Sequence, residues 1–214
     1  MGDLSFAVLA GTAEPHAAVP TLRLRLRITE TDGAGVHTIA LRCQVRIEAQ
    51  RRRYSAAEAD RLLELFGEPG RWGDTLKPLH FANLMVTVPG FDGSVEVDLA
   101  VPCTYDFEVA ATKYFHALDD GEIPLLLLFS GTVFAKAGSG FAVTQVPWHK
   151  EAAYRLPVRV WREVMDLYFP DSGWIRLRRE TLDALQRYKA TQAMTSWDEA
   201  LAALLPVPVG ADRP

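Results

Sequence analysis

Two cysteines, five histidines and no apolar run of membrane length set the first limits on this chain. Cys43 and Cys103 form no CxxC pair and are too few for a disulfide framework, so a reducing cytoplasm is the expected location. The histidines (His16, His37, His80, His116, His149) show neither HExxH nor a Cys/His cluster, and no metal or cofactor is expected. Glycine-rich phosphate loops are missing too. The N-terminus has Asp3 where a secretory leader has basic residues, and its apolar patch is short for an export signal. The longest apolar run, Ile123 to Phe129, is seven residues, whereas a bilayer-spanning helix needs about 20. Membrane insertion is therefore not expected.

What is present is an ordinary globular composition. Hydrophobic residues make up 49% and charged residues 23% of 214, with mean hydropathy near zero. A chain of that length can bury about 70% of its unfolded surface without a metal or disulfide. The net charge of −4 is unevenly spread. Eight arginines between Thr21 and Arg53, against Glu30, Asp32 and Glu48, make that segment +5 and the remainder −9. Internal pairing between the two parts is the commoner cause of such asymmetry, and an acidic partner the other.

The segment "PTLRLRLRIT" alternates strictly, placing Leu22, Leu24, Leu26 and Ile28 on one face and Arg23, Arg25 and Arg27 on the other. "HTIALRCQVRIEA" repeats the pattern with Arg42 and Arg46 outward, and the turn residues "TDGAG" between them predict a hairpin with a basic outer face. Ser55 and Glu58 form a capping box opening a helix, and Ser196 and Glu199 a second. "SVEVDLAVPCTYD" is a further alternating strand whose Glu96 and Asp98 are natural partners for the arginines. "FEVAATKYFHAL", "LPVRVWREVMDLYF" (with Pro157 at its start), "RRETLDALQRYKA" and "TSWDEALAALL" read as helices, and "WIRL" as a short extended piece. "GEIPLLLLFSGTVFA" is expected as a central strand, buried on both faces under helices, with a bulge at Gly131 and a turn at "GSG".

The outward arginines Arg23, Arg25, Arg27, Arg42 and Arg46 are candidates for binding an acidic protein. Without interleaved aromatics, nucleic acid is not expected, and a solvated or acid-paired face is the plainer reading. Trp161, Tyr168 and Trp174 are candidates for a partner groove, although helical spacing favours the core for them. No catalytic residue is assigned. Cys103 with a base such as His116 or His149, or the "PWHKEA" group His149, Lys150 and Glu151, would be needed for a small cysteine- or histidine-dependent hydrolase or transferase, the alternative. A buried structural cysteine, and an Asp106 that caps a helix beside Tyr105, are the simpler readings.

Across nearly the whole length, "VPTLRLRLRI", "IALRCQVRIE", "VPCTYDFEVAATKYFHAL", "GEIPLLLLFSGTVF" and "YRLPVRVWREVMDLYFP" resemble an uncharacterised family of high-GC bacterial proteins of unknown function. That resemblance implies genes lying among those of uptake nickel–iron hydrogenases. The order of "LLLLFSGTVF", a strand, a proline-started helix, a crossover and a final helix is similar to the layout of SecB-type export chaperones, with 51–120 as an insertion and a basic outer face as departures. The expectation is one α+β domain over 1–205 with a frayed tail at 206–214: a twisted antiparallel β-sheet with helices packed on one face, SecB-like with that insertion. Its expected role is a non-enzymatic, chaperone-like accessory protein that binds a protein partner, in the specific version a hydrogenase subunit.

Overall fold

Strict alternation makes strands of β2 (Thr21–Glu30) and β3 (Val36–Ile47), and each buries its apolar side completely. The alternation is silent about partners. In the computed structural model, which describes residues 3–33, 35–104, 109–137, 140–170 and 177–205 (the side chains of 136, 137 and 141 excepted), the two strands belong to different sheets. β2 lies between β1 (Leu4–Ala13) and β5 (Ser94–Pro102). β3 lies between β4 (Leu79–Val88) and β6 (Glu122–Ala137). The expected hairpin does not form, because the chain crosses from one sheet to the other between Glu30 and Val36.

The long strand β6 organises the second sheet. Its first half pairs with β8 (Glu151–Pro157) and its second half with β7 (Gly140–Gln145), giving the order β4-β3-β6 with β7 and β8 sharing the far side. All pairings are antiparallel. Gly131 stands at the change of partner and is not a bulge: the β3–β6 register runs through it unbroken and shifts only between Val36 and Thr38. The turn expected at "GSG" falls on residues 138 and 139, outside the described residues.

The two sheets face each other across one core. Phe6 of β1 stacks on Phe129 of β6 with ring centroids 4.2 Å apart. A Cβ on Gly11 of β1 would come within 2.8 Å of Leu156 of β8. The single expected sheet is therefore two antiparallel sheets with added helices, still an α+β arrangement. The segment 51–120, expected as an insertion, supplies an edge strand to each sheet, β4 and β5. It also supplies α1 (Ala56–Arg61), α2 (Leu63–Phe66), α3 (Trp72–Thr75) and α4 (Ala110–Ala117). The Ser55–Glu58 capping box forms as its spacing requires.

Helix α5 (Val158–Tyr168) packs Val160, Trp161, Val164 and Met165 inward against β1, β2 and β8. Helix α4 packs near β4, with Phe115 edge-on to Phe81. Ala40, Arg42, Gln44, Asn83, Met85 and Ser130, at the centre of the second sheet's outer face, remain exposed. This corrects the expectation of helices over both faces of β6. Ile123, Leu125, Leu127 and Phe129 enter the core, whereas Leu126 (8% exposed) and half-buried Leu128 belong to the uncovered face.

The chain divides into two compact units, Met1–Trp174 and Ile175–Pro214. The second contains α6 (Arg179–Thr191) and α7 (Trp197–Leu204), the latter opened by the Ser196–Glu199 capping box. Leu182 is exposed, and α6 buries none of its residues. No described helix is long and apolar enough to cross a membrane.

Candidate functional site

The five candidate arginines are divided by the sandwich. Arg23, Arg25 and Arg27 stand on the outer face of the first sheet, and Arg42 and Arg46 on that of the second. On the first sheet the cross-strand register places Asp98 beside Arg25 and Glu96 beside Arg27. Arg25 Nε donates to Asp98 Oδ1 at 2.6 Å, Arg27 Nη2 to Glu96 Oε1 at 2.7 Å, and Arg23 lies 3.2 Å from Glu14. The hydrogen bond from Arg27 holds the Glu96 carboxyl below its ordinary range, and that with Asp98 raises Arg25 above its own. This basic stripe is neutralised within the molecule.

The second sheet differs. Arg46 is 3.3 Å from the buried carboxylate of Glu48, but Arg42 forms no ion pair among the described residues. Its cross-strand neighbours are Met85 on β4 and Ser130 on β6, both uncharged. Beside it a groove of about 610 Å³ is lined by Gln44, Asn83, Met85, Leu128, Ser130 and, from the turn between β7 and β8, Trp148. Trp148 is 91% and Met85 78% exposed. A second hollow of about 340 Å³ shares Arg42, Met85 and Ser130 and runs on toward Thr132 and Gln145. The result is a shallow trough across the strands, with Met85, Leu128 and Trp148 set among Gln44, Asn83 and Ser130, and at its centre an arginine without an ion pair among the described residues.

The remaining candidates do not converge on chemistry. Burial pushes the Cys103 thiol up to about 12 and leaves it donating to Val101 O, so the ionised form that the hydrolase alternative needs is suppressed. In "PWHKEA", Lys150 pairs with Asp3 Oδ1 at 2.5 Å, His149 stays exposed beside Trp148, and Glu151 opens β8 opposite Leu128. Trp161 is 4% exposed, packed between Phe115 and His116, and presents no surface. The Tyr168 hydroxyl lies 2.8 Å from the carbonyls of Glu14 and Ala17, tying α5 to the β1–β2 connection. Trp174, Tyr105 and Asp106 lie outside the described residues. No group of three or more His, Cys, Asp or Glu among the described residues could hold a metal ion.

The model of DUF6084, a family of unknown function, matches residues 1–210. The chain belongs to that family. No curated protein matches it in sequence. Among solved structures, this DUF6084 chain is similar to the CARDB domain of a Pyrococcus furiosus protein at 9% identity, covering 72% of this chain and 91% of that one with a TM-score of 0.29. It is also similar to beta-glucosidase 3B from Thermotoga neapolitana (13% identity, 72% and 17% covered, TM-score 0.25). A bacterial adhesin from Mobiluncus mulieris is a third (11%, 72% and 57%, TM-score 0.25). At such scores none of these bears on the role of a DUF6084 protein.

Sequence reasoning missed Met85, Leu128 and Trp148. Met85 and Leu128 read as ordinary strand residues, and only the open face makes them surface. The one available signal was a tryptophan directly after Pro147 in a turn, where no core could enclose it.

Proposed function

We propose that this protein binds another polypeptide across the outer face of its second sheet, with the trough beside Trp148 as the contact surface. The observation that carries this is an almost fully exposed tryptophan next to an almost fully exposed methionine and an unpaired arginine. Tryptophan, methionine and arginine are the residue types enriched at protein interfaces, and tryptophan and arginine dominate their energetics. A buried aromatic removes about 200 Å² from water; at ~25 cal/mol/Å² that is about 5 kcal/mol for Trp148 alone. Such a gain makes the residue an anchor once a partner covers it. The chaperone-like accessory role is this same reading in general form. Its SecB-like layout and its hydrogenase partner are the finer version, supported by the sequence resemblance.

The test compares full-length tagged protein with Trp148→Asp and Met85→Asp in affinity purification from the native host, read by mass spectrometry. Both side chains are exposed, so the variants should keep the wild-type melting profile while losing the partners that wild type retains. An unchanged partner set refutes the reading. Absence of any hydrogenase subunit from the wild-type set refutes only the specific version.

A further inference from the structure

The edge of the second sheet next to the trough is open from Asn83 to Thr87. Phe129 N–H donates to Lys150 O, and Gly131 O accepts from Val146 N–H, so the odd-numbered residues of β6 direct their backbone groups toward β7 and β8. The even ones face β3, as the Glu48 N–H to Pro124 O bond also shows. Arg42 and Gln44, paired with Ser130 and Leu128, therefore use their backbone groups on β6. Leu41 and Cys43 use theirs on β4, through Val86 and Leu84. This leaves Asn83, Met85 and Thr87 with N–H and C=O directed away from β3, and all three are exposed. No strand among the described residues pairs with that edge.

Natural edge strands are protected by charge, proline, bulges or a covering element. β5 carries Glu96 and Asp98, β8 carries Glu151 and Arg155, and β1 has a register shift between Val8 and Ala10 and lies against α5. β4, "LHFANLMVTV", has no Lys, Arg, Asp, Glu or Pro, although Pro78 and Pro89 bracket it; its register shift against β3 and its ring contact with α4 both fall at Phe81, before the open stretch. Asn83 to Thr87 offer an accepting edge, and Asn83 and Met85 form one wall of the trough.

We infer that β4 takes up an extended segment of a partner protein as an additional strand, with apolar side chains of that segment over Met85 and an Asp or Glu reaching Arg42. Main-chain bonds to Asn83, Met85 and Thr87 supply sequence-tolerant affinity, and alternate side chains supply selectivity. A residue added opposite Met85 lies two strand spacings, about 10 Å, from Arg42, within the combined reach of a glutamate and an arginine. The acidic requirement follows from charge complementarity, because Arg42 lacks the carboxylate that the arginines of the first sheet all have. This inference rests on the protein-binding reading and names the form of the ligand.

The experiment uses full-length protein and fluorescein-labelled synthetic peptides, alternating Val and Thr with one Glu, read by fluorescence anisotropy. The same peptides are made with Lys for Glu, and with N-methyl groups on alternate amides in each of the two phases. The expected result is binding of the Glu peptide, abolished by N-methylation in one phase and kept in the other. Arg42→Glu should reverse the preference toward the Lys peptide. Met85→Pro should weaken binding tenfold or more while the protein stays folded, because proline is tolerated where an edge N–H faces solvent. Equal binding of both N-methyl phases, with affinity still dependent on Trp148, overturns strand addition and leaves the protein-binding reading standing. No binding of any peptide overturns the inference, and an unchanged partner set for Trp148→Asp removes the reading beneath it as well. A dimer in sedimentation that Met85→Pro dissociates places a second copy on β4 and also overturns it.

Discussion

Gly131 has φ at 142°, a backbone conformation that side-chain-bearing residues rarely adopt, and a Cβ placed there would stand 2.1 Å from Ala40 O and 3.1 Å from Leu41 Cα. Both neighbours are main chain of β3, so no side chain can swing aside. In Gly131→Ala the backbone strain costs on the order of 1–3 kcal/mol. To reach ordinary contact distance, β3 and β6 must separate by about 1 Å, which weakens one or two flanking hydrogen bonds worth roughly 1 kcal/mol each. The sum, about 2–5 kcal/mol, is a large part of a typical stability of about 5–15 kcal/mol. At roughly 2–4 °C per kcal/mol for a chain of this size, Tm should fall by about 4–20 °C. Thermal unfolding followed by circular dichroism measures it. Gly70→Ala is the control, because a Cβ there meets nothing within 4 Å, and restricting the unfolded chain should leave it neutral or slightly more stable. Gly131→Ala melting together with Gly70→Ala would refute the reasoning that the β3–β6 contact requires glycine.

Other groups give distinct expectations. Arg52 Nη2 bonds Glu58 Oε1 at 2.5 Å and Asp120 O at 2.7 Å, and Nη1 bonds Glu122 O, in a nearly buried pair; Arg52→Ala strands Glu58 in the interior and should cost roughly 3–5 kcal/mol in denaturant. Arg25→Ala, on an exposed pair, should leave the midpoint near wild type, and equal effects of the two would contradict this. Burial, aided by the charge of Arg162, depresses His116 from 6.5 to about 4, so the folded state disfavours its protonated form. Stability from this group is complete above 6.5 and is lost as pH falls toward about 4, and His116→Gln should flatten a stability profile over that window; parallel profiles would argue against it. Cys43 and Cys103 are buried and pushed up to about 12 by desolvation; a thiol reagent should label neither in the native protein and both after unfolding, and rapid native labelling would disprove the assignment.

Period-two patterns in β2, β3 and β5 were legible because β2 and β3 bury one face completely and β5 keeps Val95 and Val97 half-buried and Leu99 and Val101 buried on one side, and the two capping boxes form hydrogen bond for hydrogen bond. Strands β1 and β8 were not. The register shift between Val8 and Ala10 breaks the alternation of β1, and β8 is short, seven residues of which two, Glu151 and Arg155, are charged. The partnership of β2 with β3 was misread for a different reason. Two strands that bury opposite walls of one core have the same alternation as two strands side by side in a sheet, and a five-residue connection suits both. The trough was the least legible part, since Leu126 and Leu128 give β6 an unbroken apolar run whether a helix covers that face or nothing does.

The arginines show what a charge count over a segment leaves out. β2 and β3 carry the same alternation with basic outer faces, and together they make the segment strongly positive. Position in the sheet then separates them. The cross-strand neighbours of Arg25 and Arg27 are the acids of β5, and these pairs are satisfied on folding. The strand beside Arg42 is β4, which contributes methionine and asparagine and no acid. Arg42 therefore keeps its charge beside Met85 and the hollow, next to the edge strand, with no carboxylate among the described residues paired to it. Placing an acid on β4 supplies that carboxylate from within: Asn83→Asp, diagonal to Arg42 on the same face, should pair with it and weaken binding of acidic peptides while leaving the fold intact. Unchanged peptide affinity in that variant would show that the unpaired charge of Arg42 plays no part in recognition.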